Sequence, residues 1–201
     1  TNYVMESKAV FEVNDTVYKQ RYAYFPAQVI TNSTNRQNNF ITLNRGSSSG
    51  VKVGMGVFCP DGVVGKITEV SENYSVATSV LNTSGFKIVP KIRELNYSKG
   101  TIVWDGKDPN FFELKEINKY EALKKGYHIV TSPYTKDFPE EIMIGIVDRI
   151  EKRANETHYR VKVKSAVNFG KIQTVYIVKN LFKEEIDKLE KEIEKSQQSN
   201  K

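Results

Sequence analysis

One cysteine, Cys59, occurs in 201 residues, so no disulfide can form within the chain. A single cysteine suits a reducing compartment, and equally an extracytoplasmic protein that does without disulfides. Histidine is scarce as well: His128 and His158 are far apart, and neither H-x-x-x-H nor C-x-x-C occurs. The residues needed for a metal site are therefore not expected. No Walker A motif is present, and no G-x-G-x-x-G opens a helix. No apolar run approaches the length of a membrane span, and no signal peptide opens the chain. It begins at Thr1 rather than Met, as expected of a soluble fragment of a longer protein. No cofactor or metal is implied.

The residues that are present favour strands. Tyr and Phe number 11 and 10, alongside many Val and Ile, and aromatic and β-branched residues suit a pleated surface. Lys and Arg exceed Asp and Glu by 30 to 24, a net charge of +6, but they are spread along the chain. Nucleic-acid binding by a β-barrel would gain support from clustering, which the sequence does not show. It stays a rival reading, tested by salt-sensitive oligonucleotide binding.

The organising stretch runs from Arg45 to Gly65 and holds six of the 12 glycines. Short apolar runs lie between them: Val51 and Val53, Val57-Phe58, and Val63-Val64. Such runs bounded by Gly, Pro and Asp read as short strands joined by tight turns, as at Pro60-Asp61-Gly62. Glycines at those places mark the bends that let a small barrel curl.

Before residue 24, Tyr3, Val10, Val13 and Val17 repeat at seven, three and four. That spacing predicts a short helix over 1–23, either lying on its own domain or forming the end of a coiled coil. From Tyr24 the period becomes two. Strands are expected at Phe25–Ile30, Phe40–Leu43, Lys66–Val70, Val76–Leu81 and Phe86–Ile92, about ten residues apart. These make a first barrel over 24–94, which 171–179 could complete. Strands at Gly100–Trp104, Phe111–Ile117, Tyr127–Thr131, Ile142–Val147, Tyr159–Val163 and Ile172–Val178 make a second over 95–180. Gly65-Lys-Ile-Thr-Glu-Val70 echoes Gly145-Ile-Val-Asp-Arg-Ile150, and Gly54-Met-Gly-Val57 echoes Gly126-Tyr-His-Ile129. Duplication and chance both account for so short a match. The fold class is thus mainly β: two small barrels with a short helix at each end.

The C-terminal segment 181–201 is an amphipathic helix and a polar tail. Phe182, Ile186, Leu189 and Ile193 fall at four, three and four, and Glu184–Lys188 and Asp187–Lys191 pair one turn apart. So short a helix needs a surface to dock on, its own domain or another chain.

Gly46-Ser-Ser-Ser-Gly50 matches the G-x-S-x-G elbow of α/β-hydrolases, but Val51-Lys-Val-Gly follows where the elbow requires a helix. A rival enzyme reading remains: a serine hydrolase on a chymotrypsin-like double barrel, with Ser48 or Ser132 served by His128 or His158. The sparse chemistry favours a protein that binds. Tyr134 and Phe138, aromatics on a turn, are the candidates for an exposed contact, the alternative being that they cap their own barrel. With Tyr3, Val10 and Val17 at one end and Phe182, Ile186, Leu189 and Ile193 at the other, they form the candidate interface.

The series Ala27-x-Val29-Ile30, Leu43-x-x-Gly46, Gly50-Val51-x-x-Gly54-Met55-x-Val57 and Gly62-Val63-Val64-Gly65-x-Ile67 resembles the MreC family of rod shape-determining proteins. So do Gly100-Thr-Ile-Val-Trp-Asp-Gly106, Gly126-x-x-Ile129-Val130-Thr131-Ser132, Phe138-Pro139-x-x-Ile142-x-Ile144-Gly145 and Val175-x-Ile177-Val178. Tyr127 and Pro133 depart from the family pattern. The resemblance implies an extracytoplasmic, non-catalytic scaffold on an inner-membrane anchor, with a coiled coil and two β-barrels. It implies self-association as a dimer or higher oligomer. It also implies binding to a class B penicillin-binding protein of elongation and to other membrane proteins of the rod complex, in the service of rod shape.

Overall fold

A computed structural model describes residues 10–13, 16–84, 87–152 and 157–198. Strands β1 (Val10–Val13) and β2 (Thr16–Lys19) form an antiparallel hairpin in which Val10 faces Lys19 and Glu12 faces Val17. This corrects the expected N-terminal helix over these residues. In short segments helical spacing and strand alternation overlap, and the β-branched and aromatic run Thr16-Val-Tyr decides for strand. Tyr3 lies outside the described residues.

The first barrel takes β3 (Tyr22–Asn32), β4 (Asn38–Leu43), β5 (Gly56–Cys59), β6 (Gly62–Val70) and β7 (Ser75–Asn82). The chain then crosses to a second sheet of β8 (Pro90–Ile92), β9 (Tyr97–Ser98), β10 (Thr101–Val103), β11 (Phe111–Asn118), β12 (His128–Thr131), β13 (Met143–Glu151) and β14 (His158–Ser165). It returns as β15 (Thr174–Asn180) and ends in α1 (Lys183–Gln198). Strand β15 inserts between β3 and β5 and closes the first barrel in the order β15-β3-β4-β7-β6-β5. The second sheet runs β10-β11-β14-β13-β12-β8-β9 and curls until Ile88, just before β8, bridges Ile102 of β10. Strand β8, expected in the first barrel, pairs with β12 instead.

Alternation builds both interiors. In β14, Tyr159, Val161 and Val163 point in and His158, Arg160, Lys162 and Lys164 point out. Ile41, Leu43, Val57, Ile67 and Ile177 fill the first core; Leu114, Ile117, Ile129 and Val163 fill the second.

The sequence echo is a structural repeat. Gly54 N–H donates to Ile67 O at 2.8 Å and Ile67 N–H to Met55 O at 2.8 Å. Gly126 N–H donates to Val147 O at 2.8 Å and Val147 N–H to Tyr127 O at 2.9 Å. Gly54 and Gly126 have φ of +90° and +89°, the left-handed conformation that glycine adopts at little cost. Val57 faces Gly65 as Ile129 faces Gly145, and the next ladder slips by one residue after Ile67 and after Val147. A Cβ on Gly65 would lie 2.3 Å from Thr78 O, and one on Gly145 2.3 Å from Lys164 O. The two barrels therefore need glycine at the same point, where the neighbouring strand crosses too closely for a side chain.

Candidate functional surface

The connection from β12 to β13 is a strap that leaves the second sheet and lies on the outer wall of the first barrel. Gly56 makes this approach possible. A Cβ there would meet Asp137 O at 2.4 Å and the Phe138 ring at 2.7 Å. Tyr22 Oη donates to Phe138 O at 3.2 Å, and Asn180 Nδ2 donates to Lys136 O at 3.0 Å. Asp137 joins three parts of the molecule. Its Oδ2 lies 2.6 Å from Lys66 Nζ of β6, and its Oδ1 lies 3.0 Å from Lys183 Nζ of α1. Oδ1 has no aligned hydrogen-bond donor, so the second contact is an ion pair rather than a directed bond. Burial lowers the Lys183 ammonium, but Asp137 and then Asp187 outweigh it and hold its pKa above the ordinary 10.5.

Phe138, on this strap, turns its ring in against Gly56 and is 1% exposed. This corrects its expected place at the surface: glycine at position 56 opens a socket that the ring fills. Tyr134, on the same strap, is 71% exposed. Phe182, just before α1, and Ile186 on it are half-buried, while Leu189 and Ile193 are each 56% exposed. The expected surface is therefore divided. Val10 and Val17 sit on the hairpin, Tyr134 on the strap, and the helical stripe docks at its beginning only.

A candidate surface that sequence reasoning missed is aromatic and spans three strands of the first barrel. Pro26 of β3, Tyr176 of β15 and Phe58 of β5 lie side by side in register. In the next row, Tyr24 faces Val178, which faces Gly56 under the strap. The Phe58 and Tyr176 rings stack at 5.6 Å, and Tyr24 meets Phe58 edge-on at 6.0 Å. Tyr24 remains 46% exposed. The available signal was aromatic residues at the outward positions of alternating strands. Only closure of the barrel by β15 brings Tyr176 between the other two.

The hydroxyls of the hydrolase reading are engaged elsewhere. Ser48 Oγ donates to Glu72 O at 2.7 Å and Ser132 Oγ to Val89 O at 2.6 Å. His128 Nδ1 lies 2.5 Å from Glu94 Oε1, and His158 Nδ1 lies 2.9 Å from Thr157 Oγ1. Among the described residues no serine meets an imidazole, and no helix follows Gly50, so the nucleophile elbow is not built. Among them also, no cluster of three metal-ligating side chains occurs, and no helix is long and apolar enough to cross a membrane.

A closed six-stranded barrel beside a curled seven-stranded sheet, joined by a strap, defines a class: a tandem β-barrel-like protein. The barrel-core profile of the rod shape-determining protein MreC matches residues 29–179. The chain belongs to the MreC family. It is 30% identical over 146 residues to the cell shape-determining protein MreC of Listeria monocytogenes, covering 72% of this chain and 48% of that protein. It thus spans about half the length of this relative. A solved Listeria monocytogenes MreC superposes with a TM-score of 0.70 at 25% identity, over 79% of this chain and 76% of that one. MreC in a Helicobacter pylori complex with the penicillin-binding protein PBP2 superposes at 0.59 and 15% identity, over 80% of this chain and all of that one.

Proposed function

We propose that this chain is the extracytoplasmic body of a non-catalytic scaffold for cell elongation. It is held to the inner membrane by a segment outside this sequence, self-associates, and binds a class B penicillin-binding protein and other membrane proteins of the rod complex. Family membership supports the setting, and the solved complex of a Helicobacter pylori relative supports the partner. The observation that carries the reading is the Pro26–Tyr176–Phe58 row with Tyr24, an aromatic face that adjoins the strap. Clustered aromatics supply large contact area at low entropic cost and dominate binding energies where they are desolvated. The strap holds the two barrels in one orientation, so a partner seated there meets a rigid surface. It would select one conformation of that partner by differential affinity.

The test is binding of a purified class B penicillin-binding protein ectodomain to the Tyr24→Ser/Tyr134→Ser variant, in which both changed side chains are exposed. The affinity should fall by at least about tenfold, with the thermal unfolding curve unchanged. Wild-type affinity in the variant would refute this face as the contact.

A further inference from the structure

Helix α1 carries a second interface of different chemistry. Ion pairs tie its first half to the body. Lys183 pairs with Asp137 at 3.0 Å and Lys52 with Glu184 at 3.4 Å; Lys136 lies 3.9 Å from Asp187 and contacts Glu190. These pairs place Lys183, Asp187 and Glu190, steps of four and three residues, on the face against the strap. The apolar stripe Ile186, Leu189 and Ile193 lies a quarter-turn round. Ile186 is half-buried, and Leu189 and Ile193 are 56% exposed. Beyond Glu190 every side chain described, to Lys195, is exposed.

The charges on this helix are sorted. Glu185 and Glu192, both exposed, border the stripe on the side away from the strap; Glu190, on the other side, is already paired with Lys136; and Lys188, Lys191 and Lys195 fall on the opposite face with Glu184. That sorting decides against a second copy as the occupant. Parallel pairing sets Glu185 of one helix against the already paired Glu190 of the other and offers it no lysine, and antiparallel pairing over the exposed half brings Glu192 to Glu192. Like charges at these flanking positions disfavour the pair. We propose that the exposed half of α1 docks a basic amphipathic helix of another protein, with apolar residues on the Leu189–Ile193 seam and Lys or Arg against Glu185 and Glu192. This site is separate from the aromatic face, and either can fail without the other.

The experiment uses two labelled three-heptad peptides with leucine at the seam positions, one flanked by lysine and one by glutamate, titrated against this chain by fluorescence anisotropy. The lysine peptide should bind at least about tenfold tighter than the glutamate peptide. Leu189→Ser/Ile193→Ser should lose at least about tenfold of that affinity with the barrels' thermal unfolding unchanged. Glu185→Lys/Glu192→Lys should reverse the preference. The proposal is overturned if neither peptide binds, if Leu189→Ser/Ile193→Ser leaves binding intact, or if the reversed charges leave the preference as it was. It is likewise overturned if sedimentation shows a dimer that Leu189→Ser/Ile193→Ser abolishes, since the occupant is then a second copy.

Discussion

Replacing Gly56 with alanine tests whether the strap is locked to the first barrel. The backbone at Gly56 lies within an ordinary strand, so alanine meets no local conformational penalty. The whole cost arises from the methyl group, which would sit 2.4 Å from Asp137 O and 2.7 and 2.9 Å from two ring carbons of Phe138. One obstacle is backbone held by the Lys136 and Phe138 carbonyl contacts, so no side-chain rotation clears it. Overpacking of this kind costs about 1–3 kcal/mol. Phe138→Ala removes the ring from a site 1% exposed and should cost about 3–5 kcal/mol. The two residues touch, so the changes should not add. The double variant regains space for the methyl and should fall short of the summed costs by about 1 kcal/mol. Urea unfolding of the four proteins measures this cycle. A Gly56→Ala variant within about 0.5 kcal/mol of wild type would refute the locked seam, as would costs that add.

Four further outcomes follow from the same geometry. Asp137→Asn removes the charge shared by Lys66 and Lys183 and should cost about 1–3 kcal/mol, less at high salt, as read from unfolding at two ionic strengths. Gly126→Ala should cost about 1 kcal/mol, because φ is +89° and nothing lies within 4 Å of the new methyl. Gly145→Ala should cost more, with Lys164 O 2.3 Å away, and equal losses at the two sites would count against the repeat's packing logic. Lys91 and then Arg93 hold the Glu141 carboxyl below its ordinary value of 4.5. The unfolded chain therefore takes up the proton first: the stabilisation is present above about pH 4.5 and is lost as pH falls through the folded value. Glu141→Gln should flatten that acid limb of the stability curve, and an unchanged acid limb would remove Glu141 as its source.

Local pattern and spacing made the strands legible. The outward basic and inward apolar alternation of residues 158–164 is written in the chain, and so is the Lys183–Gln198 helix with its stripe. The repeat was visible at Gly65 and Gly145, because a close strand crossing tolerates no Cβ and so leaves its mark on residue identity. Hairpin against helix over 10–19 was not legible, because a segment that short satisfies both periods. The fate of Phe138 was hidden as well. Its burial depends on a glycine in a distant strand, and an aromatic on a turn reads as exposed until that partner is known.

By itself, then, the sequence determined most of the strands from Tyr22 onward, where they must bend, and the family likeness that the barrel-core profile matches over residues 29–179. Those properties depend on near neighbours: side-chain periodicity, left-handed turns and glycine at tight crossings. Tertiary structure decided that β15 closes the first barrel, that the strap seats on Gly56, and that Tyr24, Phe58 and Tyr176 form one face. Each of these joins residues far apart in the chain, and such contacts are specified by packing between strands rather than by any pattern along one of them.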